Sequence, residues 1–317
     1  MLKKKMKRRK DFILRTTLYP YIALVVGVLA VSSSAIFVRL STADAGIIAF
    51  YRLFFSALLI FPFFWGKRKE VLGFSKKDWL FSAAAGFFLA FHFILWFRSL
   101  EYTSVASSVV LVTLQPIFSF IGTYFLFKER VSFAGIISAL LAIGGSVYIS
   151  WGDFKVSGQA LYGDILALLA CALVTAYLLF GQHVRKRHSL TVYTFIVYGI
   201  SALTLCLYCL FSGAAFFSYP ASDWGYFFLL AVIPTLLGHS LFNWVLKWLS
   251  TNMISVAILF EPVGAVALAY WILDESVMMT QVIGGAVIFS GIILFMASQS
   301  IRKNNVPAVK GKTPKAL

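Results

Sequence analysis

Six polar side chains stand inside long apolar runs of the chain: Arg52, His92, Gln115, His239, Asn243 and Glu261. A charged group at membrane depth costs about 2.5–3.5 kcal/mol on insertion scales, so such residues face a cavity or a partner. Glu261 lies about ten residues from either end of its run, roughly 15 Å along a helix and close to a bilayer midplane. Gln115 sits at similar depth in an earlier run, and each of the two precedes a proline, Pro116 and Pro262. Proline removes one helical hydrogen bond and clashes with the carbonyl four residues back, so a kink is expected at both, with backbone carbonyls freed nearby. A freed carbonyl beside a carboxylate or an amide can hold an ammonium group, a proton or a polar metabolite. The plainer alternative is a kink satisfied by neighbouring helices, with Glu261 neutral and hydrogen-bonded. Arg52 could bind a substrate carboxylate, pair with Glu261, or reach toward the bilayer surface. His92 and His239 titrate near neutrality when unperturbed and could relay protons, or serve as ordinary hydrogen-bonding groups. Neither has metal-ligand spacing. Asn243, one turn from His239, completes the expected substrate-binding set, with Pro116 and Pro262 as hinges. No metal, no cofactor and no catalytic residue is expected.

The elements that must carry these residues follow from composition. Of the 317 residues 60% are hydrophobic, 13% are charged and 32 are Phe, against about 45–50% apolar and 25% charged in soluble domains. Such a chain lacks the polar surface to cover itself in water and is too apolar to stay disordered. A helix crosses the hydrocarbon layer with about 20 apolar residues. Ten runs qualify: 19–40, 46–65, 78–100, 102–127, 131–151, 161–182, 191–212, 223–249, 251–273 and 278–299. They do not alternate polar and apolar residues as barrel strands would. Trp65, Trp79, Trp151, Trp224, Trp248 and Trp271 fall near run ends, as an interfacial belt requires. Net charge is +16. With the N-terminus inside, 24 of the 28 Lys and Arg residues fall on the inner side, against Arg39, Arg98 and Lys155 outside. That asymmetry predicts cytoplasmic termini and an inner face against anionic lipid. The basic residues sit at chain ends and in short gaps, so no nucleic-acid partner is expected. Arg98 and Lys247, near run ends, are expected to snorkel. A cleaved secretory signal would need a shorter apolar core than the first run has. Cys206 and Cys209 have C-x-x-C spacing but lie in an apolar run, which favours packing over redox chemistry.

An internal duplication organises the chain. Gln115-Pro116 and Glu261-Pro262 are 146 residues apart, and the same offset relates Tyr124 to Tyr270, Glu129 to Glu275, Val131 to Val277 and Gly145 to Gly291. Five runs make one unit, so the second copy must enter the membrane with opposite polarity, a recurring plan of secondary transporters with the site between the halves. The expected fold is an all-α integral membrane protein of ten transmembrane helices in two inverted-topology five-helix repeats. Its units are a basic cytoplasmic tail at 1–18, repeats at 19–151 and 159–300, and a second basic tail at 301–317. Glu129 and Glu275, beside helix starts, are expected to complement helix dipoles. Ser138/Gly284, Ala139/Gly285 and Gly145/Gly291 are expected to pack helices closely, within the chain or in a homodimer.

Phe50-Tyr51-Arg52, Ser104–Pro116 followed by Phe127-Lys128-Glu129-Arg130, and Ser250–Pro262 followed by Leu273-Asp274-Glu275 resemble the drug/metabolite transporter superfamily, specifically its EamA type. The resemblance covers about residues 19 to 299. The first run departs from it, reading Val31-Ser32-Ser33-Ser34 where that family often has a Trp-Gly pair. It implies ten helices around a central cavity and movement of a small polar metabolite, amino acids among them, often outward across the plasma membrane. A carrier of lipid or drug-like amphiphiles, or a membrane sensor that transports nothing, fits the same residues. No G-x-x-x-x-G-K-[ST], G-x-S-x-G or H-E-x-x-H motif occurs, which disfavours an ATP-driven pump and an intramembrane enzyme.

Overall fold

A computed structural model describes residues 18–149, 158–273 and 277–305 of the chain. The N-terminal tail, Trp151, Lys155, Glu275 and the C-terminal end lie outside the described residues. Among those described, regular structure is helical. Helices spanning lipid satisfy every backbone group internally, and the apolar runs leave no other solution. The first run forms α1 (Tyr19–Val31) and α2 (Ser34–Leu40), separated by Ser32 and Ser33. Next come α3 (Ala45–Lys67) and α4 (Lys76–Tyr102), then α5 (Val105–Val112) and α6 (Gln115–Phe127) from the fourth run. The fifth run gives α7 (Phe133–Ile149), and α8 (Gly158–Arg185) and α9 (Leu190–Ser212) follow. The eighth run is α10 (Ala221–Leu230), a wide π-helical turn at Ala231–His239, and α11 (Ser240–Val245). The ninth is again divided, into α12 (Thr251–Ile258) and α13 (Glu261–Leu273), and the tenth is α14 (Met279–Asn305). Nine of the expected runs are helices of membrane length among the described residues, and the fifth run, α7, has 17 residues.

Side-chain caps fix several starts. Ser75 and Asp78 form a reciprocal capping box at α4, and Ser104 and Ser189 accept from backbone N–H groups three residues on, at α5 and α9. Glu129 does not act as the expected helix cap. Ser132 accepts from Gly135 N at 3.1 Å at the start of α7, while Glu129 Oε1 accepts from Gln182 Nε2 at 2.8 Å. Gln182 Oε1 in turn accepts from the backbone and hydroxyl of Thr251, tying the end of α6 through α8 to α12. The reason is proximity: Gln182 reaches Glu129 from a neighbouring helix, and Ser132 is already placed at the helix start.

Helix α4 packs along α8, α3 along α9, and α7 along α14. The small-residue stripe is used in the last of these. A Cβ on Gly145 would meet Gly284 O at 2.7 Å, and one on Gly291 would meet Ala142 N at 2.7 Å. These glycines therefore bring α7 and α14 into backbone contact within one chain. Loops gather at two ends. Segments around 67–78, 185–190 and 244–251 meet at the basic end, where Ser189 N donates to Glu70 Oε1 at 2.6 Å. At the other end Asp223 accepts from Thr42, and Asp164 from Thr103 and Ser107. The cysteines are free, with Cys171 and Cys209 buried.

Candidate functional site

Pro116 and Pro262 do more than kink their helices. Each is the second residue of a new helix, preceded by a broken turn in which Leu114 N bonds Leu111 O and Phe260 N bonds Ala257 O. Proline has no N–H, so Val112 O and Ile258 O, four residues back, lose their helical donors. Val112 and Ile258 both line one interior cavity, together with Gln115 and Glu261. The breaks thus bring the two residues with freed carbonyls, an amide and a carboxylate to one place. Ser32, in the gap between α1 and α2, donates to Glu261 O at 3.2 Å and to Val28 O at 2.9 Å.

The same cavity is lined by Arg52, His92 and His239. Five of the six expected binding residues therefore converge. Asn243 does not line it: its side-chain amide donates to the Tyr177 hydroxyl and its backbone carbonyl accepts from Arg185 Nε at 2.8 Å. It belongs to a polar layer between the cavity and the basic end. Arg98 lies near Glu101 at 4.0 Å, both side chains about half exposed, as a run-end cation should be.

Arg52 is fully buried. Its Nε donates to Thr235 Oγ1 and its Nη1 to Ser34 Oγ, both at 2.7 Å, and its guanidinium lies 4.1 Å from the centre of the Phe93 ring. The expected alternative of a pair with Glu261 is not realised, since the ion pairs among the described residues lie elsewhere. Two sequence features explain the actual partners. Pro234 cannot bond Leu230 O, and the Thr235 hydroxyl takes that carbonyl at 2.8 Å while accepting from Arg52. The resulting wide turn carries His239 to the cavity, a common use of π-helical turns. The three serines at 32–34 break the first run and supply Ser34.

Four polar atoms of lining residues are buried without a hydrogen-bond partner: Arg52 Nη2, Trp96 Nε1, Gln115 Oε1 and His239 Nδ1. Among the described residues the Glu261 carboxylate has no hydrogen-bond donor either. Orphan polar groups are few in folded proteins, and this cavity gathers several of them. His92 is different, because its Nδ1 lies 2.9 Å from Ala170 O. A carbonyl only accepts, so Nδ1 carries the proton and Nε2 is left as the free ring nitrogen. The two imidazoles have ring centres 6.5 Å apart. The cavity holds about 400 Å³ of unfilled space, of which only about 20 Å³ can take the centre of a water-sized molecule.

Sequence reasoning missed Trp96, Ser34 and Thr235. The signals were present as three consecutive serines in an apolar run and a Pro-Thr pair in the eighth run.

The EamA-like transporter family matches the chain twice, over residues 18–151 and 161–297. An uncharacterized transporter of Archaeoglobus fulgidus is 25% identical over 276 residues, covering 87% of this chain and 96% of its own length. The uncharacterized transporter YxxF of Bacillus subtilis is 27% identical over 234 residues, covering 73% and 74%. A crystal structure of a protein 17% identical to this chain shares its fold with a TM-score of 0.70, covering 90% of this chain and 98% of that one.

Proposed function

The chain belongs to the EamA-like transporter family, and from that premise we propose that it is a secondary transporter moving a small polar metabolite across the plasma membrane by alternating access. It is a multi-pass membrane protein; the finer reading places both termini in the cytoplasm, following the cation asymmetry. The two halves, of inverted topology, rock about the cavity between the helix breaks.

The observation that carries this reading is the set of orphan polar atoms on that cavity. Arg52 Nη2 and Trp96 Nε1 are donors for an anionic group. Gln115 Oε1 and the Glu261 carboxylate are acceptors for a cationic one. A zwitterion such as an amino acid or a derivative of one uses both kinds. Only a compact molecule fits, and the narrow free space means that the halves must part to admit it. Outward movement is the direction we infer, by analogy with the family. Glu261, which has no donor among the described residues, is the candidate for proton exchange coupled to transport.

Thermal stabilisation of the purified protein by amino acids and their derivatives tests the substrate class. A ligand at a hundredfold its Kd adds about 2.7 kcal/mol to folding stability. The Trp96→Phe variant removes one donor while keeping ring bulk, and the stabilisation by the same ligand is expected to shrink in it. If no zwitterionic metabolite stabilises the protein, or if Trp96→Phe leaves the stabilisation unchanged, the binding assignment fails.

A further inference from the structure

A second concavity opens at the basic end of the bundle, with about 460 Å³ open to water-sized molecules against about 20 Å³ between the helix breaks. Five cations line it: Lys67 from the end of α3, Arg185, Lys186 and Arg187 from the end of α8, and Lys247 beyond α11. They share one lining carboxylate, Glu70, whose Oε1 already accepts from the backbone of Ser189 at 2.6 Å. Arg187 approaches Asp78 at 4.0 Å. The other four have no carboxylate within 4.0 Å among the described residues. Arg185 is only 3% exposed and is held in place by the carbonyls of Asn243 and His188. Like charges gathered in a concavity with low-dielectric walls focus a positive field and attract an anion.

We propose that this concavity binds the phosphate of an anionic phospholipid from the adjacent leaflet. Three features favour a lipid over a soluble anion. The site lies where membrane-length helices α3, α8 and α9 end or begin. Trp244 and Trp248, with ring centres 4.4 Å apart, stand at its wall, the depth at which Trp meets headgroups. Phe63, 71% exposed and one helical turn before Lys67 on the same face of α3, offers an apolar track for the acyl chains. A lipid held there joins residues from both halves of the chain. Through Arg185 it reaches the Asn243 carbonyl, in the polar layer beside the central cavity. It therefore braces one arrangement of the halves and sets the rate at which they move. This assignment does not depend on what the central cavity carries.

Native mass spectrometry of the full chain with phosphatidylglycerol and phosphatidylcholine reads the site directly. Lys186 and Lys247 are exposed, so Lys186→Gln with Lys247→Gln leaves the fold intact. Phosphatidylglycerol retention is expected to weaken roughly thirtyfold in that pair, from the usual contribution of basic residues near a membrane surface. The pair Lys69→Gln with Lys76→Gln removes the same charge at the same end but outside the concavity, and is expected to change retention less than about twofold. Equal losses in both pairs mean diffuse attraction to the bilayer and overturn the site. Equal retention of phosphatidylcholine by the unaltered chain overturns it too. If inorganic phosphate alone stabilises the protein as much as phosphatidylglycerol does, the occupant is a soluble anion and the lipid assignment falls.

Discussion

At the first helix break Val112, Gln115 and Pro116 stand where the second has Ile258, Glu261 and Pro262. The backbone repeats with them: Leu114 N bonds Leu111 O and Ile117 N bonds Leu114 O, and 146 residues on Phe260 N bonds Ala257 O and Val263 N bonds Phe260 O. The side chains do not repeat. One break presents an amide with an orphan oxygen, the other a carboxylate on a residue whose backbone carbonyl is held by Ser32. Where the first break continues into Phe118 the second has Gly264, against which α1 packs. Proline spacing therefore accounts for the shape of both breaks, and the residue before each proline accounts for what it can do. The ionisable group belongs to the second break alone, and so does the close approach of the first run.

Making the two breaks alike is the strongest test of that difference. Glu261→Gln keeps the size and acceptor oxygen of the side chain and removes its ability to exchange a proton. A gradient of two pH units can concentrate a substrate coupled to one proton about a hundredfold, at about 1.4 kcal/mol per tenfold. In proteoliposomes the variant is expected to lose that accumulation and retain only equilibration across the membrane. Accumulation that still follows the pH gradient in Glu261→Gln would remove Glu261 from the coupling step.

A smaller effect concerns packing. A Cβ added to Gly264 would clash with Ser32 Oγ and lie 2.7 Å from Ser32 Cβ. Gly264→Ala is therefore expected to lower stability by about 1–3 kcal/mol, the usual range for overpacking, and to lower the melting temperature of the purified protein. The clash falls on the contact between α1 and the Glu261 backbone, so weakened ligand stabilisation should accompany it. A Gly264→Ala protein that melts with the unaltered one would mean that α1 does not close on the second break.

Much of this arrangement was legible in the amino-acid sequence. Apolar run length located the helices, because lipid leaves a buried backbone no other partner. Proline spacing located the breaks, because a missing N–H acts wherever it falls. The convergence of Arg52, His92, Gln115, His239 and Glu261 followed from the cost of placing polar groups in lipid. The partners of those groups were not legible. Arg52 is held by Ser34 and Thr235 from two other runs, 18 and 183 residues away, and periodicity within a run carries no information about which hydroxyl faces it. Glu129 was assigned to a helix start because helix ends attract carboxylates, but Gln182, 53 residues on, reached it. The glycine stripe showed close packing without naming its partner, which is α14 of the same chain.

The mildest perturbation is Ser32→Ala. The hydroxyl bonds Val28 O within its own helix and Glu261 O across the break. One hydrogen bond is worth about 0.5–1.5 kcal/mol net, so a loss of that order is expected in denaturant or thermal unfolding. A double-mutant cycle with Gly264→Ala tests whether Ser32 sits on the second break. If Ser32 lies away from Gly264, the two losses add. If it lies against the second break, the residues are in contact and the losses are non-additive, with a coupling of about 0.5 kcal/mol or more. Removing Ser32 Oγ takes away the atom that the new Cβ would meet first, so Gly264→Ala should cost less in the Ser32→Ala background. Additive losses would leave the second break without its tie to α1, and the two breaks would then differ only in amide against carboxylate.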